Sequence, residues 1–277
     1  MLFKKNYCFA LIAIIIWTVV LLSIKCSKSI EWVPAPQEKS SSFPLDIAPD
    51  SVDDMYDGCE KEMKKKVASL LNTEKSGEFR KAWLAAEKYY NNKWATTPST
   101  LKKEQIMAIH AYTLEQPAIY DEFNKAVRTQ KSEYKTTFQY HALHFYLTRA
   151  IRSLKSNAPE CITTYRRTNS KFETDINREI RFGGFTSSSR DDYLDILIFG
   201  NTSCFEITTC FGADISEFSK YEWEKEVLIP PYEVFKVTDI QKRSEENSLP
   251  CEVVYKVKST KKTRSSLNCA LFKESDL

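Results

Sequence analysis

The sequence predicts an α+β fold, on three observations. Apolar residues recur at helical spacing as far as about residue 157. After Pro159 the chain breaks into short runs rich in β-branched and aromatic residues, and no long helical period returns. Helices therefore come first and strands second, the order of an α+β chain rather than of an alternating one. The 277 residues allow one to two domains with a sizeable core. A hydrophobic share of 42% with 28% charged residues excludes a disordered or polytopic membrane chain, and 6 glycines exclude collagen-like architectures.

At the N-terminus, Lys4 and Lys5 precede an apolar run from Cys8 to Ile24, broken only by Thr18 and Ser23. Its length lies between a signal-peptide core and a membrane helix. Residues 1–29 are thus expected to be a signal peptide or signal anchor, and both send the rest of the chain into the secretory pathway. Lysines flank both ends, so the positive-inside rule leaves the orientation open. The leader also explains the net charge of +3: without Lys4, Lys5 and Lys25 the chain carries 37 basic and 37 acidic residues. The remainder has no electrostatic case for nucleic acid. Residues 30–50, with Pro34, Pro36, Pro44 and Pro49, read as a linker. The C-terminal residues 273–277 are a short tail, and LFKESDL lacks the apolar stretch of a lipid-anchor signal.

Between these ends, Met63, Val67, Leu70 and Leu71 mark one helix, and Phe79, Trp83 and Tyr90 a second. A third is expected near Lys103–Leu114, after Pro98, with Thr100 as its N-cap. Leu143, Leu147, Ala150, Ile151 and Leu154 mark another. The expected β runs are 161–166, 178–188, 194–199, 203–210, 226–229, 233–239 and 252–258. The basic stretch Lys256–Arg264 reads as a solvated hairpin.

Beyond Cys8 and Cys26, six cysteines remain: Cys59, Cys161, Cys204, Cys210, Cys251 and Cys269. An even number behind a secretory leader suggests disulfides. With no Cys-x-x-Cys pair and no Cys/His cluster, no metal site is expected. His110, His141 and His144 fall in helical patterns and read as packing or surface residues. Asn201-Thr202-Ser203 is a glycosylation sequon for that compartment.

The chain has no Ser/His/Asp order, P-loop or dinucleotide fingerprint. Glu224-Lys225-Glu226 stands out, running into Val227-Leu228-Ile229 and stopped by Pro230-Pro231. If Glu226 begins a strand, alternation puts Glu224 and Glu226 on one side and Lys225 on the other. Two carboxylates facing one way repel each other and suit chemistry on a cation. Two further segments join them: Thr164-Tyr165-Arg166, and Phe185-Thr186-Ser187-Ser188-Ser189 after Arg181-Phe182-Gly183-Gly184. An arginine, a hydroxyl-rich strand and a Glu-x-Glu on three successive β segments resemble the Arg-Ser-Glu signature of cholera-toxin-type ADP-ribosyltransferases. The stretches ALHFYLTRAI, RFGGFTSSS, TTCFGADI and KEVLIPPYEVFKV are similar to the vertebrate ecto-ADP-ribosyltransferases that modify arginine. The resemblance covers roughly Asp50 to Phe272.

The resemblance implies a helical lobe (51–157) packed on a β core of two small sheets (158–272), one domain over 51–272 with NAD+ in the cleft. It implies that Arg166 holds NAD+ near its phosphate and nicotinamide ribose, and that Ser187 orients the catalytic glutamate. It implies that Glu226 stabilises the oxocarbenium ion as nicotinamide leaves, while Glu224 engages the acceptor guanidinium. Tyr112, Gly184 and Ser219 match positions that contact NAD+. Gly184 stands where relatives often have Gln, Arg167 where they commonly have Gly, and Lys225 where Glu is common. The implied disulfides are Cys59–Cys269 and Cys161–Cys210; Cys204 and Cys251 are left over, and their pairing stays open. The expected activity is transfer of ADP-ribose from NAD+ to arginine side chains of secreted or cell-surface proteins. NAD+ or NADP+ is then a co-substrate and no cofactor is permanently bound. Hydrolysis of NAD+ on the same site is the enzymatic alternative, and a catalytically silent extracellular binding protein is the non-enzymatic one. Membrane contact is expected only through an uncleaved leader.

Overall fold

The computed structural model describes residues 42–273. The leader, most of the expected linker and the tail beyond Lys273 lie outside the described residues. After the short strand β1 (Ser42–Pro44) come five helices. α1 (Glu60–Glu74) starts after Cys59 with Glu60 and Glu62 in its first turn, where negative charge meets the positive end of the helix dipole. It buries Met63, Val67 and Leu71. α2 (Gly77–Lys93) buries Phe79, Ala82, Trp83 and Ala86. α3 (Lys103–Tyr112) is capped at Lys102 rather than at Thr100, and the Lys102 N–H donates to Gln105 Oε1 at 2.8 Å. α4 (Tyr120–Thr129) is a helix the expectation did not single out, and it buries Phe123, Asn124, Ala126 and Val127. α5 (His141–Asn157) buries Leu143, Leu147, Ala150 and Ile151.

The histidines pack, as expected. His110 stacks on Tyr89 with ring centroids 3.7 Å apart. His141 sits between Glu74 Oε1 and the Tyr134 carbonyl at 2.8 and 2.6 Å. His144 meets the Tyr56 hydroxyl at 2.8 Å.

The strands are β1 (Ser42–Pro44), β2 (Ile162–Thr168), β3 (Lys171–Glu173), β4 (Glu179–Ile180), β5 (Thr186–Ser189), β6 (Ser203–Thr209), β7 (Ala213–Asp214), β8 (Glu226–Ile229), β9 (Glu233–Lys242) and β10 (Val253–Thr263). β1 and β3 form a two-stranded parallel sheet, so the segment expected as linker is structured from Ser42 onward. The other eight strands run in the order β4-β9-β10-β6-β2-β5-β8-β7. Their ladder narrows at β2–β5 to the single pair Tyr165↔Ser189. It therefore acts as two small sheets, β4-β9-β10-β6-β2 and β5-β8-β7, meeting at a seam.

Each half buries its own face. The helical lobe packs on the three-stranded half, with Phe185, Ala213 and Leu228 in its core. Ile180, Phe205, Ile207, Phe235, Val237, Tyr255 and Val257 form the core of the five-stranded half, joined by Leu45.

Three expectations for the β region are corrected. The run 194–199 contains a helical turn, α6 (Ile196–Phe199), begun by the Asp195 carboxylate accepting from Leu197 N–H at 2.7 Å. The run 178–188 divides into β4 and β5, because Arg181 and the glycines after it turn the chain. Gly183 there has φ 73, a left-handed value that favours glycine. The basic stretch is the second half of β10 rather than a hairpin of its own, and Lys256 pairs with Glu206 at 3.5 Å. Three disulfides close the domain: Cys59–Cys269, Cys161–Cys210 and Cys204–Cys251. The third supplies the pairing the sequence left open.

Candidate active site at the sheet seam

The seam brings Arg166, Ser187, Glu224 and Glu226 to one cavity, with Leu194 and Phe199 on its wall. Arg166 comes from β2 and Ser187 from the middle of β5, and the Arg166 guanidinium donates to the Ser187 carbonyl at 2.7 Å. This bond crosses the seam where ladder pairing is thinnest. Burial lowers Arg166 from its ordinary value, yet a guanidinium stays charged.

Glu226 opens β8, as expected, and is 5% exposed. Its Oε2 accepts from the Ser219 hydroxyl at 3.2 Å. Burial pushes its carboxyl up, against the pull of hydrogen bonds from Ser187 and Ser219 and of the Arg166 charge. A positive charge arriving beside it therefore favours the ionised form.

Glu224 reaches the same cavity by a route the sequence argument did not foresee. It is not one strand step from Glu226. It ends a short 3₁₀ turn, Glu222–Glu224, and Lys225 follows at φ 49 and ψ 46, a left-handed conformation. The strand-alternation rule therefore does not apply, and the exposed Lys225 sits on a turn, not on the opposite face of a strand. Glu224 is half-buried, and its carboxyl is raised to about 7 by burial first, then by the charges of Glu226 and Glu115.

The remaining predicted residues stand behind the cavity. Tyr112 ends α3, buried, with its hydroxyl donating to the Phe185 carbonyl at 3.2 Å and 3.4 Å from Ser187 Oγ. Burial pushes its phenol up to about 12, which keeps it a donor. In this arrangement Tyr112 supports β5. Ser219 likewise holds Glu226 and accepts from the Tyr221 N–H at 3.2 Å. Gly184 is packed tightly: a Cβ there would lie 3.1 Å from Asn124 Oδ1 and 3.3 Å from an Arg128 guanidinium nitrogen.

Two residues of this neighbourhood escaped the sequence reading. Asn124 Nδ2 donates to the Tyr112 hydroxyl at 2.9 Å. Arg128 brings a second guanidinium close enough to Arg166 to lower it further. Neither arginine has an ion-pair partner among the described residues. A signal was present: Phe123, Ala126 and Val127 lie at helical spacing on one face.

A buried acid, a second carboxylate and an unpaired guanidinium at one seam, with Arg128 nearby, fit a substrate carrying both anionic groups and a developing cation. The family model for NAD:arginine ADP-ribosyltransferase matches residues 45–260. The chain belongs to this family. It is 40% identical over 209 residues to human ecto-ADP-ribosyltransferase 5, spanning 71% of this chain and 72% of that one. It is 34% identical to a chicken erythroblast NAD(P)(+)–arginine ADP-ribosyltransferase over 203 residues, 70% of this chain and 67% of the relative. Among solved structures it resembles the eukaryotic mono-ADP-ribosyltransferase ART2.2, with a TM-score of 0.65 and 33% identity over 82% of this chain and 98% of that one. A variant of ART2.2 has been solved in complex with NAD. The α+β expectation thus holds within the ADP-ribosyltransferase family, with its helical lobe on a divided β core.

Proposed function

We propose that the seam transfers ADP-ribose from NAD+ to the guanidine nitrogen of arginine side chains and releases nicotinamide. The observation that carries this reading is the pair Glu226 and Glu224 in one cavity, in different states. One is deeply buried and held by two serine hydroxyls; the other is half-exposed and titrates near neutrality. Arg166 and Arg128 meet the pyrophosphate of NAD+, since a planar guanidinium grips phosphate oxygens in pairs. Glu226 accepts from the nicotinamide ribose and faces the anomeric carbon. The bond from that carbon to the nicotinamide nitrogen breaks, its electrons leave with nicotinamide, and the oxocarbenium ion forms beside a fixed negative charge. Glu224, as carboxylate, holds the acceptor guanidinium and takes the proton released when its nitrogen bonds to the sugar. Holding sugar and acceptor together supplies much of the rate.

The acceptors are exposed arginines on extracellular or cell-surface proteins. The three disulfides and the ecto-named relatives support that setting. The test incubates the oxidised, full-length protein with adenine-labelled NAD+, with and without an arginine analogue. Nicotinamide release with label on the analogue is expected. Nicotinamide release without any arginine adduct would leave only hydrolysis, and no release at all would remove the reading.

A further inference from the structure

Arg167 stands beside the cleft arginine and does something different. Arg167 borders the same cavity as Arg166 and Ser187, but its guanidinium is engaged by the protein's own carbonyls. It lies opposite Cys204 in the β2–β6 ladder. One guanidinium nitrogen donates to the Leu194 carbonyl at 3.0 Å and another to the Pro250 carbonyl at 3.1 Å. Its carbon lies 5.8 Å from the centroid of the Tyr193 ring. Pro250 precedes Cys251, whose disulfide to Cys204 closes the same corner. Tyr193 and Leu249 pack there against Cys204, Cys251 and Val254. One side chain thus joins strand β2 to two loops.

The loop over 190–200 otherwise makes few hydrogen bonds to the rest of the described residues. Arg190 N–H donates to the Lys225 carbonyl at its start, and Asn201 N–H to Asn169 Oδ1 just past its end. Between them, the hydrogen bond that ties residues 191–200 to the rest of the described residues is the one from Arg167. α6 within it leaves Leu197 91% and Ile198 64% exposed, so the loop's apolar anchorage comes from Tyr193, packed at the Cys204–Cys251 corner and edge-on to Tyr165 of β2 with ring centroids 5.1 Å apart, and not from α6. Such a segment sits at the low-stability end of a structure and pays conformational entropy to stay ordered. Yet Leu194 and Phe199 from this loop line the cavity that holds Arg166, Ser187 and Glu226.

We infer that Arg167 is a positioning residue whose grip on two carbonyls holds the 190–200 loop as a wall of the cleft, setting affinity for NAD+ rather than turnover. The inference rests on the NAD+ reading of the cleft, and the experiment separates the two. Calorimetric titration of NAD+ is done on the full chain carrying Glu226→Gln, which removes turnover. Arg167→Gly and Arg167→Lys are then added to it. Lysine keeps the charge and loses the planar fork. Hydrogen–deuterium exchange is followed in parallel on Arg167→Lys alone.

Both substitutions should weaken NAD+ binding, the glycine variant roughly tenfold, as expected for losing hydrogen bonds from a charged donor. In the Glu226 background restored to wild type, KM for NAD+ should rise while kcat stays within about twofold of the parent. Exchange should quicken at the amides of 196–200 while β2 and β6 keep their protection. Unchanged affinity in the glycine variant overturns the inference, as does a lysine variant that restores both affinity and protection. Weakened binding with unchanged exchange would mean a direct contact with NAD+ and also overturns it. Should the glycine variant fail to fold, the lysine variant decides alone. A Glu226→Gln parent that takes up no NAD+ strikes at the activity reading instead, and the exchange measurement still decides the loop.

Discussion

Arg181 and Arg166 lie fifteen positions apart in the numbering, and their surroundings differ in a way that separates structure from function. Arg181, between β4 and β5, is 2% exposed and fully engaged. It donates to the Ile47, Ala48 and Arg264 carbonyls and forms a 2.8 Å ion pair with buried Asp53. Arg166 has one protein hydrogen bond, to the Ser187 carbonyl, and no ion-pair partner among the described residues. The glutamates repeat the contrast. Glu233, buried at the start of β9, accepts from Thr209 Oγ1 at 2.5 Å and from the N–H groups of Cys210 and Phe211 at 2.7 and 3.3 Å. Glu226, buried at the start of β8, is held by serine hydroxyls alone. Charges satisfied by the chain hold the fold; charges left partly unsatisfied at the seam are available to a substrate.

Removing a charge on each side should therefore have opposite consequences. The largest effect is expected from Arg181→Ala, which strands Asp53 in the interior. Breaking a buried pair costs about 3–5 kcal/mol, and chemical denaturation should show a loss of that order. A loss below about 1 kcal/mol would mean Asp53 does not depend on Arg181, and the contrast with Arg166 would collapse.

Glu226→Gln should do the reverse: nicotinamide release falls by roughly 10²–10³-fold or more, as when a fixed electrostatic group is lost, while the fold is untouched. The sign of the stability change sharpens the contrast. The Glu226 carboxyl is raised in the folded state, so its ionised form is disfavoured there relative to the unfolded chain. That cost is absent at low pH and sets in as pH rises through the unfolded value toward the folded one. A neutral amide escapes it, so thermal unfolding at neutral pH should occur at the same or a higher temperature. A clear drop would place Glu226 among the structural charges.

Glu224 should act on outcome more than on rate. With its carboxyl near 7, only its ionised fraction holds and deprotonates the acceptor. The ratio of ADP-ribosyl-arginine to free ADP-ribose should climb as pH rises through about 7, and Glu224→Gln should flatten that climb at a low ratio. A ratio independent of pH in the natural protein would detach Glu224 from the acceptor. The smallest effect is expected from Arg128→Ala. Arg128 does not line the cavity and its guanidinium is partly desolvated, so its contact with phosphate is secondary to that of Arg166, and KM for NAD+ should rise a few-fold, about 1 kcal/mol, with kcat kept. An unchanged KM at low salt would leave Arg166 as the single phosphate arginine.

Much of this was legible before the structure. Period 3.6 in Met63–Leu71 and period 2 in the later runs are local signals, and they located most helices and strands. Glu226 at a strand start, Arg166 on β2 and Ser187 on β5 needed only residue order and resemblance. Local patterns failed where a single backbone conformation or a distant partner decided. Lys225 in a left-handed conformation turns Glu224 into the cavity by a 3₁₀ turn, and no alternation rule contains that step. α4 was missed although its apolar spacing was present, and with it went Asn124 and Arg128.

What the sequence determined by itself is the class of fold, most of its helices and strands, and the residue types that meet at the seam. Propensity, periodicity and cysteine number are properties of neighbours along the chain. What only the tertiary structure decided is which charges find partners. Arg166, Arg167 and Arg181 are the same residue type within sixteen positions, and one faces the cleft, one grips two loops and one is locked to Asp53. The carbonyls and carboxylates that separate them come from residues 47 to 264, brought together only by strand pairing and disulfide closure. A side chain's role at this seam follows from how many of its hydrogen-bonding groups those distant segments satisfy, and that number is written in three dimensions.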